Sequence, residues 1–234
     1  MAIEFSNTAQ QRVTFSSTVG ALPQKSIVIW IDLESFGDTT NQASLLSRSH
    51  PSLPISWYTA IYTGSERFVL AVDASGLGGV WATNNNAVTT GNHLLVATYD
   101  GTSVANDPAF YIDGVSVAVN ELQTPSGTVS TEANHDFILG GFYTTKSHDG
   151  KILLPATYNR IITPAEVAGI WNSKGKLPRN GLVFCPYMIG AKGLQAFDGA
   201  TLAAGNTIVD PCSGAVGVPN GDPIGVAESY LSLK

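Results

Sequence analysis

Charged residues are scarce in this chain. Asp, Glu, Lys and Arg make up 13% of its 234 residues, about half of the roughly 25% that is usual for soluble domains. The polar surface must therefore depend on Ser, Thr, Asn and Gly, a composition common on secreted, cell-surface and particle-bound proteins. Twelve basic residues stand against 18 acidic ones, for a net charge of −6. Because there is no basic stripe, we expect no nucleic-acid partner.

Long apolar runs are missing as well. The longest, such as Ser26–Leu33, have the length of a strand rather than the roughly 20 residues that span a bilayer, so we expect no membrane insertion. The N-terminus, MAIEFSN, has no basic region followed by an apolar one, which predicts no Sec-type signal peptide. We expect a mature chain, or one made in the cytoplasm that reaches its place by assembly.

Residues that bind zinc or act as nucleophiles are also few. Cys185 and Cys212 could form one disulfide, but two lone cysteines in a β protein more often remain buried thiols. Neither has the neighbours of a nucleophile, since they lie in VFCPY and DPCSG. The histidines have no zinc-binding spacing, and they are His50, His93, His135 and His148.

What the chain has in abundance is strand pattern, and the clearest stretch is Asn92–Val119. His93–Tyr99 is apolar on both alternating faces, which predicts a central strand covered on both sides. Further along, Asp113-Gly114 separates two strand-like runs, the strongest short-range signal for a hairpin. Tyr111–Ile112 should therefore pair antiparallel with Val115–Ser116.

Other segments repeat this alternation. Ser26–Glu34 places Ile27, Ile29, Ile31 and Leu33 on one face, which we expect to enter the core. Strands and turns recur about every ten residues, without a helical period between them. This pattern predicts an all-β, antiparallel jelly-roll β-sandwich.

One short helix is predicted near 163–172. Thr163-Pro164-Ala165-Glu166 places Thr at the N-cap, Pro at the first helical position and Glu three residues after the cap. Val167, Ile170 and Trp171 should face inward. After Gly175 the composition changes, which predicts two units, a sandwich over 1–176 and a Gly/Ala/Pro-rich extension over 177–234. The extension is either packed on the sandwich or used as an assembly arm.

A series of landmarks runs over roughly residues 1–172. They are Trp30, Tyr99-Asp100-Gly101, Tyr111-Ile112-Asp113-Gly114 and Gly150 to Glu166, with Tyr158-Asn159-Arg160. Their order resembles laminin-G-like domains of the concanavalin A-like lectin/glucanase superfamily. The resemblance implies a jelly-roll of two antiparallel sheets, one of them concave, and does not imply one function. The extension loosely resembles segments that flank such domains in phage virion proteins.

Glucanases of this superfamily carry an E-x-D-x-E type strand. Here Asp32 and Glu34 match its second and third positions, while Trp30 replaces the first Glu, the nucleophile. Because a retaining site needs both carboxylates, we expect no catalytic residues, and we interpret Asp32 and Glu34 as the solvated end of a strand.

Calcium is the one cofactor to consider, since the superfamily often carries it, although we expect no dedicated metal site. Hard oxygen ligands are available, but several of them precede Gly, where turn chemistry already explains them. These candidates are Asp73, Asp100, Asp107, Asp113 and Asp149.

A sugar site would need aromatic faces exposed beside polar groups. Five aromatic residues lie in or beside loops or on strands of mixed polarity, and any of them could instead be core. These candidates for carbohydrate binding are Trp57, Tyr58, Tyr62, Trp81 and Tyr143.

The preferred hypothesis is a non-enzymatic structural and binding module, in particular a virion surface or decoration protein. The alternatives are a carbohydrate-binding adhesion lectin and, third, a glycoside hydrolase. The expected partners are other protein subunits of an assembly, including copies of this chain, and glycans. The expected location is a virion surface or the extracellular space.

Overall fold

The computed structural model of the protein describes residues 2–6, 11–16, 19–36, 42–50, 53–130, 135–141 and 149–186, and four short strands beyond them. Within these residues there is one helix, α1 (Pro164–Asn172). The strands are β1 (Ala2–Phe5), β2 (Arg12–Phe15), β3 (Gln24–Ser35), β4 (Gln42–His50), β5 (Leu53–Tyr62), β6 (Arg67–Val72), β7 (Gly79–Ala82), β8 (Gly91–Asp100), β9 (Ala109–Ile112), β10 (Val115–Val117), β11 (Asn120–Gln123), β12 (Asp136–Gly140), β13 (Asp149–Tyr158), β14 (Leu182–Phe184), β15 (Ala200–Thr201), β16 (Ile208–Val209), β17 (Val216–Asn220) and β18 (Ile224–Val226).

The strands form two antiparallel sheets. Sheet A has the order β10-β9-β8-β3-β13-β1-β18-β15, with β14 also paired to β13. Sheet B has the order β11-β7-β6-β5-β4-β12-β2-β17-β16. This confirms the predicted all-β jelly-roll sandwich with one helix. No helix among the described residues has the length and apolar character needed to cross a membrane.

The main core lies between the sheets. The face of β3 that carries Ile27, Ile29, Ile31 and Leu33 is buried there, as predicted. Strand β8 is buried on both sides, since Leu95, Ala97 and Tyr99 join this core while Leu94 and Val96 join a second cluster. A strand covered on both faces requires a second layer outside sheet A.

Helix α1 supplies that layer. Its N-terminus has the predicted capping box, in which the Glu166 amide donates to Thr163 Oγ1 and the Glu166 carboxylate accepts from the Thr163 amide. Val167 and Ile170 are buried in the second cluster. Trp171 is only partly buried and stacks on Trp30, with ring centroids 5.1 Å apart. The outer face of sheet A is thus closed by the helix.

The predicted hairpin is also present. Val115 pairs with Ile112 and Ser116 with Tyr111. Asp113 and Gly114 both have positive φ, 53° and 82°, as a type I′ turn requires.

The described strands of the C-terminal extension continue both sheets. Strand β14 pairs with β13, and Phe184 lies in the main core. Further on, β17 pairs with β2 and β18 pairs with β1. Cys185 is buried, and Cys212 lies outside the described residues.

Candidate functional site

The outer face of sheet B carries a cluster of aromatic, amide and guanidinium groups. Cross-strand register places Gln42 of β4, Tyr62 of β5 and Arg67 of β6 in one row. In an antiparallel sheet, residues directly opposite each other point to the same face. Because Ile61 and Phe68 of the adjacent row lie in the main core, this row faces outward. We call the cluster the aromatic–amide patch, and it comprises Gln42, Tyr58, Tyr62, Arg67, Asn84, Asn85 and Asn120.

Two tyrosines form the aromatic part of the patch. Tyr58 and Tyr62 are four residues apart on β5, so the period of two puts them on one face. Both are partly exposed. The side chain of Tyr58 is hydrogen-bonded to those of Tyr62 and Gln42, and burial raises the pKa of Tyr58 above its usual value. The Tyr58 hydroxyl therefore stays protonated over the whole physiological range of pH.

Between the two tyrosines, the next outward row contains Ser44, Ala60, Val69 and Ala82. All four are fully buried, so the accessible surface of the patch consists of the partly exposed tyrosines and the polar side chains around them. A partly exposed tyrosine ring beside polar groups is the form of surface on which a flat sugar ring can lie.

Amides form the rim. Asn120 Nδ2 donates to Asn84 Oδ1 at 2.8 Å, and Arg67 Nε donates to Asn85 Oδ1. The loop that carries Asn84 and Asn85 is fixed to the β5–β6 turn, because the Asn86 amide donates to the Ser65 carbonyl at 2.9 Å. The rim thus holds several donors and acceptors beside the tyrosines.

The five predicted sugar-binding residues divide between patch and core. Tyr58 and Tyr62 lie on the patch. Trp57 and Trp81 are fully buried, so the exposed ring face that the prediction required is not present at either position. Trp57 packs against Phe137, and Trp81 Nε1 donates to Asp107 Oδ1 at 2.9 Å. Tyr143 lies outside the described residues.

The polar members of the patch were not predicted. Gln42, Arg67, Asn84, Asn85 and Asn120 come from four separate strands or loops. One signal was available, because the four-residue turn 63–66 between β5 and β6 sets Tyr62 opposite Arg67. The positions of the asparagines depend on the longer-range register of β7 and β11.

Asp32 and Glu34 of β3 belong to sheet A, away from the patch on sheet B. The surroundings of Asp32 fit a structural role. Asp32 is opposite Lys151 of β13, which is itself opposite Glu4 of β1. Opposite charges in such cross-strand positions stabilise a sheet by about 0.2–1 kcal/mol. Trp30, at the position of the glucanase nucleophile, is buried beneath Trp171. Helix α1 therefore covers Trp30 on the outer face of sheet A.

Each of the calcium candidates has a protein donor. Asp107 accepts from Trp81, and Asp113 accepts from the Leu94 amide at 2.9 Å. In the described part of the chain, no three His, Cys, Asp or Glu side chains come together as a metal site. The remaining pairs are Asp73 with Ser130 Oγ, Asp100 with Thr102 and Gln24, and Asp149 with Ser35 Oγ.

A hydrogen-bonded chain joins β8 to the β9–β10 turn. Asp113 Oδ2 lies 2.9 Å from His93 Nδ1, and His93 Nε2 lies 2.9 Å from Thr89 Oγ1. The same carboxylate accepts from the Leu94 amide. Since Asp113 is also the first central residue of the hairpin turn, the chain fixes that turn against the end of β8.

The fold and the patch together define a class, a lectin-like antiparallel sandwich with aromatic and amide groups on one sheet. The sequence profile Laminin_G_3, described as the concanavalin A-like lectin/glucanases superfamily, matches residues 7–168. The chain therefore belongs to the concanavalin A-like lectin/glucanase superfamily, as the order of its landmarks indicated. No curated protein is significantly similar to the sequence.

Solved structures share the fold at low sequence identity. A native heptameric SAP-like pentraxin from Limulus polyphemus has a TM-score of 0.60 and 16% identity, covering 94% of this chain and 95% of that one. CBM40 of the Ruminococcus gnavus IT-sialidase, bound to alpha2,3 sialyllactose, has a TM-score of 0.53 and 16% identity, covering 72% and 95%. A protein of Bacteroides ovatus ATCC 8483 that is named for a presumed carbohydrate-binding role has a TM-score of 0.61 and 15% identity, covering 97% and 60%.

Proposed function

We propose that the protein is a non-enzymatic carbohydrate-binding module and that the aromatic–amide patch is its glycan site. The observation that carries the proposal is the row of Gln42, Tyr62 and Arg67 on the outer face of sheet B. Tyrosine rings present an apolar face to the C–H groups of a sugar. Amide side chains both donate and accept, so they match the hydroxyl groups around that sugar.

The structurally similar proteins support the proposal of a carbohydrate-binding function. Two of them are named for carbohydrate binding, and one of those holds a sialylated sugar. Their identity to this chain is 15–16%, so the proposal depends on the patch and not on residues carried over from them. The sugar-binding role also fits a location outside the cell or on the surface of a particle, which we propose for this protein.

We further propose that the module belongs to an assembled particle, as a virion surface or decoration protein. The supporting observation is that two strands of the C-terminal extension add to the sheets by antiparallel pairing, β17 beside β2 of sheet B and β18 beside β1 of sheet A. Strands added to a sheet edge through main-chain hydrogen bonds are a common means of attachment between subunits. Light scattering on the full-length protein tests this, since the proposal expects an oligomer of fixed mass and a strict monomer would contradict it.

A glycan array probed with the full-length protein tests the sugar-binding role, in buffers with calcium and with a chelator. We expect bound glycans in both buffers, and we expect Tyr62→Ala to lose them. Binding that occurs only with calcium would indicate that a bound calcium ion holds the glycan, and it would contradict the assignment of the patch as the site. An array without any bound glycan would contradict carbohydrate binding.

A further inference from the structure

Arg67 differs from Arg48 and Arg160 in what surrounds its guanidinium group. Arg48 is fully buried and donates to the carbonyls of Val19, Gly20 and His135. Arg160 is bound through both terminal nitrogens to Glu166. Arg67 is partly exposed and lies on the aromatic–amide patch.

The orientation of the Arg67 guanidinium is set from one side. Its Nε donates to Asn85 Oδ1. Asn85 lies in the loop that is hydrogen-bonded to the β5–β6 turn. In the described part of the chain, the two terminal nitrogens of Arg67 have no other bond, and neither Arg67 nor its neighbour Glu66 has an ion-pair partner. The guanidinium thus presents a planar pair of donors and a positive charge that no described carboxylate neutralises.

Such a pair of donors matches a carboxylate. The two terminal nitrogens of arginine bind the two oxygens of a carboxylate through parallel charge-assisted hydrogen bonds, as Arg160 already does with Glu166 in this protein. A sugar hydroxyl would use one donor and leave the charge uncompensated. The free side of Arg67 is therefore better suited to an acidic sugar than to a neutral one.

The position of Tyr62 places an aromatic ring for a sugar beside the Arg67 guanidinium. Tyr62 and Arg67 are direct partners across the strands, with Cβ atoms about 5 Å apart in such pairs. A pyranose ring stacked on Tyr62 would bring a carboxylate on that ring within reach of Arg67. The amides of Asn84, Asn120 and Gln42 would then face its hydroxyl groups.

We propose that the patch selects glycans whose terminal sugar carries a carboxylate, with Arg67 as the residue that determines this specificity. The inference rests on the proposed carbohydrate binding. Uronic acids and sialic acids share the required chemistry, and the test below separates these two sources.

The experiment is a glycan array with matched acidic and neutral members, namely sialyl- and uronate-terminated glycans beside their neutral counterparts. It is probed with the full-length wild type, Arg67→Gln, Arg67→Lys and Asn85→Ala, each checked for wild-type thermal unfolding. The best acidic and neutral pair is then titrated by calorimetry at low and high salt. Asn85→Ala keeps the charge but removes its orientation, so it tests the inference even if an Arg67 variant fails to fold.

We expect the wild type to bind the acidic glycan of the titrated pair at least about tenfold more tightly than its neutral counterpart. A difference of this size is expected from one charge-assisted hydrogen bond. Arg67→Gln should remove the preference, because it should weaken binding of the acidic member by about tenfold more than binding of the neutral member. Arg67→Lys and Asn85→Ala should retain part of it, and salt should weaken it. Whether the sialyl-terminated or the uronate-terminated glycans bind will identify the class of acidic sugar that the patch recognises.

Two results would overturn the inference. Neutral glycans that bind through Tyr62, without an acidic preference, would refute it and leave carbohydrate binding intact. An acidic preference that is undiminished in Arg67→Gln, or in Asn85→Ala where Arg67→Gln does not fold, would show that another group recognises the carboxylate. If no glycan binds, the proposed function fails, and the inference fails with it.

Discussion

The ion pair between Arg160 and Glu166 makes the stability of this protein depend on pH in a predictable way. Arg160 Nη1 and Nη2 donate to the two carboxylate oxygens of Glu166 at 2.9 and 2.5 Å. The same carboxylate completes the capping box with Thr163. Glu166→Gln is an informative change, because glutamine can still accept from the Thr163 amide but cannot pair with the guanidinium charge.

The magnitude follows from the carboxyl group. Hydrogen bonding from Arg160, followed by that from Thr163, lowers the pKa of Glu166 from 4.5 to about 2. At about 1.4 kcal/mol per pH unit this corresponds to an upper limit of about 3 kcal/mol. Because the two side chains are 22% and 28% exposed, solvent screening reduces the expected contribution to about 1 kcal/mol. A carboxyl whose pKa is lower in the folded state stabilises the protein above pH 4.5, and this stabilisation is lost as the pH falls towards 2.

Urea unfolding at several pH values measures this contribution. We expect Glu166→Gln to lower the free energy of unfolding by about 1 kcal/mol at pH 7, with a difference from wild type that shrinks to near zero at pH 2. Glu121→Gln is the matched control, since Glu121 is exposed and has no partner in the described part of the chain. A difference that stays constant from pH 7 to pH 2 would refute the reasoning.

Three further predictions concern packing. Gly140→Ala should cost about 1–3 kcal/mol or prevent folding, because Gly140 has a φ of 78° and an added Cβ would lie 2.5 Å from Phe5 Cε1; unchanged thermal unfolding would contradict this. Trp57→Ala should cost about 3–5 kcal/mol in a urea titration, whereas Tyr62→Ala should cost less than half as much, and equal losses would argue against the division between core and patch. Asp113→Ala should cost about 1–3 kcal/mol and speed amide exchange at Leu94, and an exchange rate equal to that of wild type would count against it.

Local chemistry explains which structural predictions succeeded. The capping box at Thr163 and the turn at Asp113-Gly114 each depend on residues within a few positions of one another, so short sequence patterns predict them. The doubly buried strand over His93–Tyr99 was also recognisable, because an apolar run on both faces has few other interpretations. These features required no knowledge of distant pairing.

The candidate site depends on register between strands, and this is why only its tyrosines were predicted. Alternation along β5 separates Trp57 from Tyr58 and Tyr62 but does not say which face is the core. Arg67 and Asn85 join the patch through pairing of β5 with β6 and of β6 with β7. The attachment of the C-terminal strands to β1 and β2 spans most of the chain, and no local pattern encodes such a contact.

The most direct test of the account is a calorimetric titration of the best glycan from the array into wild type, Tyr62→Ala and the surface control Glu121→Gln. Removing a central aromatic contact should weaken binding at least about tenfold, while the control should bind as the wild type does. All three proteins should show similar thermal unfolding. Wild-type affinity in Tyr62→Ala would contradict the assignment of the aromatic–amide patch as the glycan site.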